Sequence, residues 1–129
     1  MQSPDIQLFN AIYKASMDLG YTTIDYSPVN DDSLDYPFVF VAETDNEDSI
    51  NNKDVIIGNI TQIVHVWGYA TDRAAFSDMV HQLKQQMRRL SRLPNYRLKL
   101  ENMNSNSMYD NTTTDNLLHG IIDVEYKLM

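Results

Sequence analysis

Residues 60–76, Ile-Thr-Gln-Ile-Val-His-Val-Trp-Gly-Tyr-Ala-Thr-Asp-Arg-Ala-Ala-Phe, pass from the most hydrophobic strand signal in the chain directly into its best helix start. Strand side chains alternate between two faces. Here Ile63, Trp67 and Tyr69 share one parity with His65, while Ile60, Val64 and Val66 share the other. Both faces of this strand are therefore apolar, and both need cover. The run extends back to residue 55, with Val55 and Ile57 on the first parity and Ile56 on the second. Fifteen residues is long against the usual ~5–6 of a strand, and Gly58 or Asn59 is the expected place for a bulge. Thr71 or Asp72 then caps a helix whose apolar positions are Ala75, Phe76, Met79, Val80, Leu83, Met87 and Leu90.

The rest of the chain supplies little else to do the covering. Ser3-Pro4-Asp5 opens a first helix over residues 4–19, with Ser3 suited to accept from an orphan amide and Pro4 fitting the first turn. Its apolar positions are Ile6, Phe9, Ile12, Tyr13 and Met17, and Gly20 stops it. Residues 21–26 favour a short extended segment, and 27–35 form a loop. Residues 36–43, Tyr-Pro-Phe-Val-Phe-Val-Ala-Glu, form a strand that is again apolar on both parities. Residues 44–54 are polar and acidic and suit a long hairpin tip. They lack the turn glycine and terminal glutamate of a calcium loop. After the second helix, stopped at Pro94-Asn95, residues 96–101 alternate as a strand with Tyr96, Leu98 and Leu100 inward. Residues 102–116 read as a polar loop or second hairpin tip. Residues 117–128 form a last strand with Leu118, Ile122, Val124, Tyr126 and Leu128 on one side and His119, Asp123, Glu125 and Lys127 on the other.

This order specifies one α+β domain over residues 1–129: a mostly antiparallel sheet of about four strands, two helices packed on one face, and long polar hairpin loops. Two helices cover one sheet face, so the apolar residues of the other face call for a second layer or another subunit.

Charge and composition narrow the function. The chain has no Cys, which excludes disulfides, thiolate metal sites and a cysteine nucleophile. No apolar run reaches membrane-spanning length and no signal segment is recognisable, so a cytosolic site of manufacture is expected. The formal charge of −8 argues against affinity for a nucleic-acid backbone. The distribution is uneven. Before Trp67 the bases are Lys14 and Lys53 against 11 acids, whereas residues 84–99 carry Lys84, Arg88, Arg89, Arg92, Arg97 and Lys99 and no acid. One acidic and one basic region suit contacts between copies or with charged neighbours, as well as two solvated faces.

No catalytic pattern emerges. The glycines, Gly20, Gly58, Gly68 and Gly120, form no phosphate loop, and neither a nucleophile elbow nor a His-Glu-x-x-His helix is present. His65, His81 and His119 lie on two strands and a helix, and sequence alone does not bring them together. His65 on an apolar strand suits a hydrogen-bonded core or interface histidine, and His81 a surface pair with Asp78.

Residues 63–69, Ile-Val-His-Val-Trp-Gly-Tyr, followed by Thr71-Asp72-Arg73-Ala74-Ala75-Phe76, resemble the tail terminator proteins of long-tailed phages, also called tail completion or tail-to-head joining proteins. The resemblance is one of layout over nearly the whole chain: a first helix, a Tyr36-Pro37-led strand, an acidic loop, a long strand ending in His-Val-Trp, a helix, then two strands. It implies a non-enzymatic virion structural protein without cofactor, assembled in the host cytoplasm. It further implies a ring, usually hexameric, at the head-proximal end of the tail tube of a siphovirus. The ring would stop tube polymerisation and meet the major tail tube protein on one side and head connector or neck proteins on the other. DNA would pass through the lumen without specific binding, as the negative charge also suits. No membrane is involved.

Expected subunit-interface residues are His65, Trp67 and Tyr69 on the uncovered strand face, Asp45, Glu47 and Asp48 in the acidic loop, and Arg88, Arg89 and Arg92 at the basic end of the second helix. The alternatives are a head completion or connector adaptor protein of the neck, which purified heads and tails would separate, and a small ligand-binding α+β domain, which an enclosed pocket would favour. A metal-dependent or hydrolytic enzyme would require at least three of His65, His119, Asp123 and the loop acids to converge.

Overall fold

The computed structural model describes residues 2–28, 33–48, 58–111 and 116–129. Its elements run α1 (Pro4–Asp18), β1 (Thr23–Ile24), β2 (Phe38–Asp48), β3 (Gly58–Tyr69), α2 (Arg73–Arg89), β4 (Leu98–Asp110) and β5 (Leu117–Leu128). The expected α+β architecture is present, as a five-stranded sheet in the order β1-β2-β3-β5-β4. β1 pairs parallel to β2, and all other pairs are antiparallel.

β3 feeds α2 through a single 3-10 turn at Ala70–Asp72, and the Asp72 carboxylate caps α2 by accepting from the Ala75 amide at 3.3 Å. Phe76, Met79, Leu83 and Met87 turn inward onto the sheet, while Ala75 is exposed. They meet Val39, Val41, Ile60, Val64, Val66, Ile122, Val124, Tyr126 and Leu128 in one core. Phe76 sits where the sheet has no side chains: Gly68 and Gly120 face it, and a Cβ on Gly120 would lie 2.9 Å from the Phe76 ring. The Tyr126 hydroxyl donates to the Met87 carbonyl at 2.6 Å and ties the last turn of α2 to β5.

α1 differs from its sequence pattern. Leu8 and Ile12 are buried as well as Gln7 and Ser16, whereas Ile6 and Met17 are 45% and 55% exposed. The inward polar residues are satisfied. Gln7 Nε2 donates to Asn95 Oδ1 at 3.0 Å and Gln7 Oε1 accepts from the Asn95 amide at 3.1 Å, while Ser16 shares a hydrogen bond with Thr23. A buried polar group with partners costs little, so tertiary pairing rotates the helix away from its most apolar stripe. Ser3 precedes α1 in extended conformation, but its side chain makes no cap bond. The helix ends at Gly20, whose φ of +90° admits glycine far more readily than other residues.

The stretches expected as polar hairpin tips are strand over residues 44–48 and 102–110. β2 pairs with β3 as far as Asp48↔Gly58, and β4 pairs with β5 from Leu98↔Leu128 to Asp110↔Leu117. Pairing with a partner strand satisfies the backbone whatever the side chains, and most side chains of residues 102–110 are exposed to solvent. Residues 49–57 and 112–115, including the expected strand positions Val55, Ile56 and Ile57, lie outside the described residues. The register breaks fall between Val41 and Thr44 in β2, opposite Ile63 of β3, and between Leu100 and Asn102 in β4, whereas β3 pairs with β5 without interruption from Gly58 to Tyr69. The bulge expected at Gly58 or Asn59 is thus on the neighbouring strand. The fully buried Gln62 of β3 reaches into it: its Nε2 donates to the Ala42 and Glu43 carbonyls at 3.2 and 3.1 Å, and its Oε1 accepts from the Thr44 hydroxyl.

Candidate functional site

Both helices lie on the face formed by Val39, Val41, Ile60, Val64, Val66 and Ile122. The opposite face of the central strands carries Phe38 and Phe40 from β2, Ile63, His65 and Trp67 from β3, and His119 and Ile121 from β5, all placed by the registers Phe38↔Trp67, Phe40↔His65 and Trp67↔His119. No helix of the described residues covers it. The burial pattern of β3 from Ile60 to Gly68 records the asymmetry, with alternate residues buried under the helices and the intervening ones only partly covered.

On this open face the rings form a continuous belt. Phe40 stacks on His65 with centroids 5.6 Å apart, His65 on His119 at 5.0 Å, and His119 on Trp67 at 3.8 Å and 8°. Trp67 then stacks on Phe38 at 6.3 Å, Phe38 meets Tyr36 at 5.4 Å, and Tyr36 meets Tyr69 edge-on at 5.4 Å. Phe38 is 2% exposed and Tyr69 39%, so the belt runs from the sheet interior to its rim.

His65 and His119 are directly hydrogen-bonded, Nδ1 to Nε2, at 2.8 Å. Burial pushes both imidazoles below the ordinary histidine value. The Glu43 carboxylate opposes this at His65; at His119 the neighbouring His65 reinforces the lowering and Asp110 opposes it. One ring must donate and the other accept, so the pair accommodates at most one added proton without losing its bond. The sequence did not place these histidines together because β3 and β5 are joined through α2 and β4, and no turn fixes their register. The parity of both residues was the available signal. Among the described residues, no group of three or more His, Asp or Glu side chains is arranged to hold a metal, and Asp123 lies further along β5, opposite Ile63.

Of the expected interface residues, His65, Trp67 and Tyr69 come together in the belt. Asp45, Glu47 and Asp48 lie on β2, opposite Thr61, Asn59 and Gly58. Arg88 and Arg89 are exposed in the last turn of α2, and Arg92 is exposed at a bridge to Arg97. Among the described residues, Lys14 and Asp18 form an ion pair at 2.7 Å. His81 is exposed on α2.

The sheet thus has one helix-covered face and one partly buried aromatic face that no helix of the described residues covers. Similar folds occur in two solved structures. A chain from the virion of a native gene transfer agent particle superposes with a TM-score of 0.59 at 12% identity, covering 98% of this chain and 99% of that one. The gp17 protein of bacteriophage SPP1 superposes with a TM-score of 0.50 at 21% identity, covering 99% of this chain and 97% of gp17. No protein-family model and no curated protein matches the sequence.

Proposed function

We propose that this protein is a non-enzymatic structural subunit of a phage tail or neck. We propose further that it is a tail terminator, forming a ring, a hexamer by the resemblance, on the head-proximal end of the tail tube. The open belt of Phe40, His65, His119, Trp67, Phe38, Tyr36 and Tyr69 carries this reading. Aromatic side chains are enriched at the centres of protein interfaces, and a belt that no helix of the described residues covers is suited to a neighbouring subunit. The full-length likeness of fold to a chain of a virion particle supports the setting. His65, Trp67 and Tyr69 would lie in the contact, with Asp45, Glu47, Asp48, Arg88, Arg89 and Arg92 at its charged margins. The formal charge of −8 suits a lumen through which DNA slides.

The test is deletion of the gene in the phage. A terminator mutant makes tails of uncontrolled length, and the purified wild-type protein forms rings in negative stain, alone at high concentration or on tail tubes. Tails of normal length in the deletion refute the terminator role. Trp67→Ser should abolish rings while circular dichroism shows the wild-type fold.

A further inference from the structure

The face of α2 turned towards β4 forms a basic cleft outside the belt. Its walls are Arg73, Ser77, His81 and Lys84 of α2 and Ser107 of β4, and it encloses about 280 Å³ over an apolar floor of Phe76, Val80 and Leu118. The two cations are held by neutral hydroxyls. Arg73 Nη1 donates to the Tyr109 hydroxyl at 2.8 Å, with its guanidinium 5.9 Å from the same ring, and Lys84 Nζ donates to Ser105 Oγ at 3.0 Å. A guanidinium has five N–H donors and an ammonium three, so most remain available and the charges are aimed in advance. Asp72, the acid next to Arg73, accepts from the Ala75 amide at the start of α2.

The complementary charge lies on β2. β1 pairs only with Val39 and Phe40, so from Val41 onward the outer edge of β2 has no partner strand among the described residues. That stretch carries the exposed Glu43 and Asp45, then Glu47 and Asp48, and no base. The lengths agree: a helix rises ~16 Å from Arg73 to Lys84, and a strand advances ~17 Å from residue 43 to 48.

We infer that the acidic outer half of β2 of one copy docks into the Arg73–His81–Lys84 cleft of the next. The open face of each subunit's sheet thereby meets the helix side of its neighbour. The two surfaces differ, so the contact is heterologous and propagates until a ring closes. This deepens the ring reading and rests on it. The cleft adds a second cationic patch on α2 to that of Arg88, Arg89 and Arg92 near its other end.

A charge swap tests it. Sedimentation velocity is run on wild type, on Arg73→Glu with Lys84→Glu, on Glu43→Lys with Asp45→Lys, and on an equimolar mixture of the two variants. Each variant alone should lose the ring species at least tenfold while keeping the wild-type circular dichroism. The mixture should recover it, because the reversed strand of one variant fits the reversed cleft of the other. Rings from either variant alone, or no recovery on mixing two folded variants, overturn the docking while leaving the ring itself standing. A wild type that stays monomeric, both alone and on tail tubes, overturns the ring and the docking together. Wild-type binding of a short DNA duplex that vanishes in the cleft variant, with rings intact, would assign the cleft to phosphates and also overturn it.

Discussion

Replacing Gln62 by Leu tests what shapes the acidic arm. Gln62 is fully buried, and its amide makes four hydrogen bonds: to the carbonyls of Ala42, Glu43 and Ile63, and from the Thr44 hydroxyl. Ala42 and Glu43 span the register break between Val41 and Thr44, where the β2–β3 ladder supplies no regular partner. Leu fills a similar volume but strands the two bulge carbonyls and the hydroxyl. At the lower end of the desolvation scale, fitting for residues that water partly reaches, three stranded groups cost ~3 kcal/mol. The extra apolar burial returns roughly 1 kcal/mol. The expected net loss is about 2 kcal/mol, read as a lower urea midpoint with unchanged m value. Gln62→Glu should cost more, since it sets a carboxylate against three carbonyl oxygens. Because the bulge holds Glu43 and immediately precedes Asp45, Gln62→Leu should also weaken ring formation under conditions where the monomer remains folded. A change in stability below ~0.5 kcal/mol, or a Gln62→Glu protein as stable as wild type, would refute the reasoning.

Gly120→Ala should destabilise by about 1–3 kcal/mol through overpacking, and Phe76→Leu in the same chain should recover part of that, because the clash is with the end of the Phe76 ring; urea denaturation of the double-mutant cycle measures the coupling. Tyr126→Phe should cost roughly 1 kcal/mol by the same measurement, since it removes the buried bond to the Met87 carbonyl. Burial holds His65 and His119 below the ordinary value of 6.5, so in the window beneath 6.5 the unfolded chain binds more protons than the folded one. Stability therefore rises with pH through that window, is fully present above it and is lost as pH falls; His119→Gln should flatten the slope measured by urea denaturation at successive pH values, and an unchanged slope would remove the pair from the account.

Much of the architecture is legible in the residues alone. The apolar residues recurring on both parities from Ile60 to Tyr69, a capping aspartate at 72 and the Phe76–Met79–Leu83–Met87 spacing dictate a long strand leading into a helix that packs back on it. The apolar residues on both parities of β2 and β3 already require a sheet with more to cover than two helices can manage, because alternation is a property of each strand by itself. Local periodicity carries no knowledge of partners. It could not turn Gln7 and Ser16 inward in place of Ile6 and Met17, which depends on Asn95 and Thr23 being there to bond them. It could not extend β4 through Asn102–Asp110, whose strand character comes from β5. Nor could it bring His65 to His119 or set Arg73 and Lys84 across from β4, because those meetings depend on register between strands far apart in the chain. The sequence alone determined that both faces of the central strands would carry apolar residues. The tertiary structure decided which rings line the face opposite the helices and where the unspent positive charge lies, since only the folded backbone brings residues from separate strands within reach of one another.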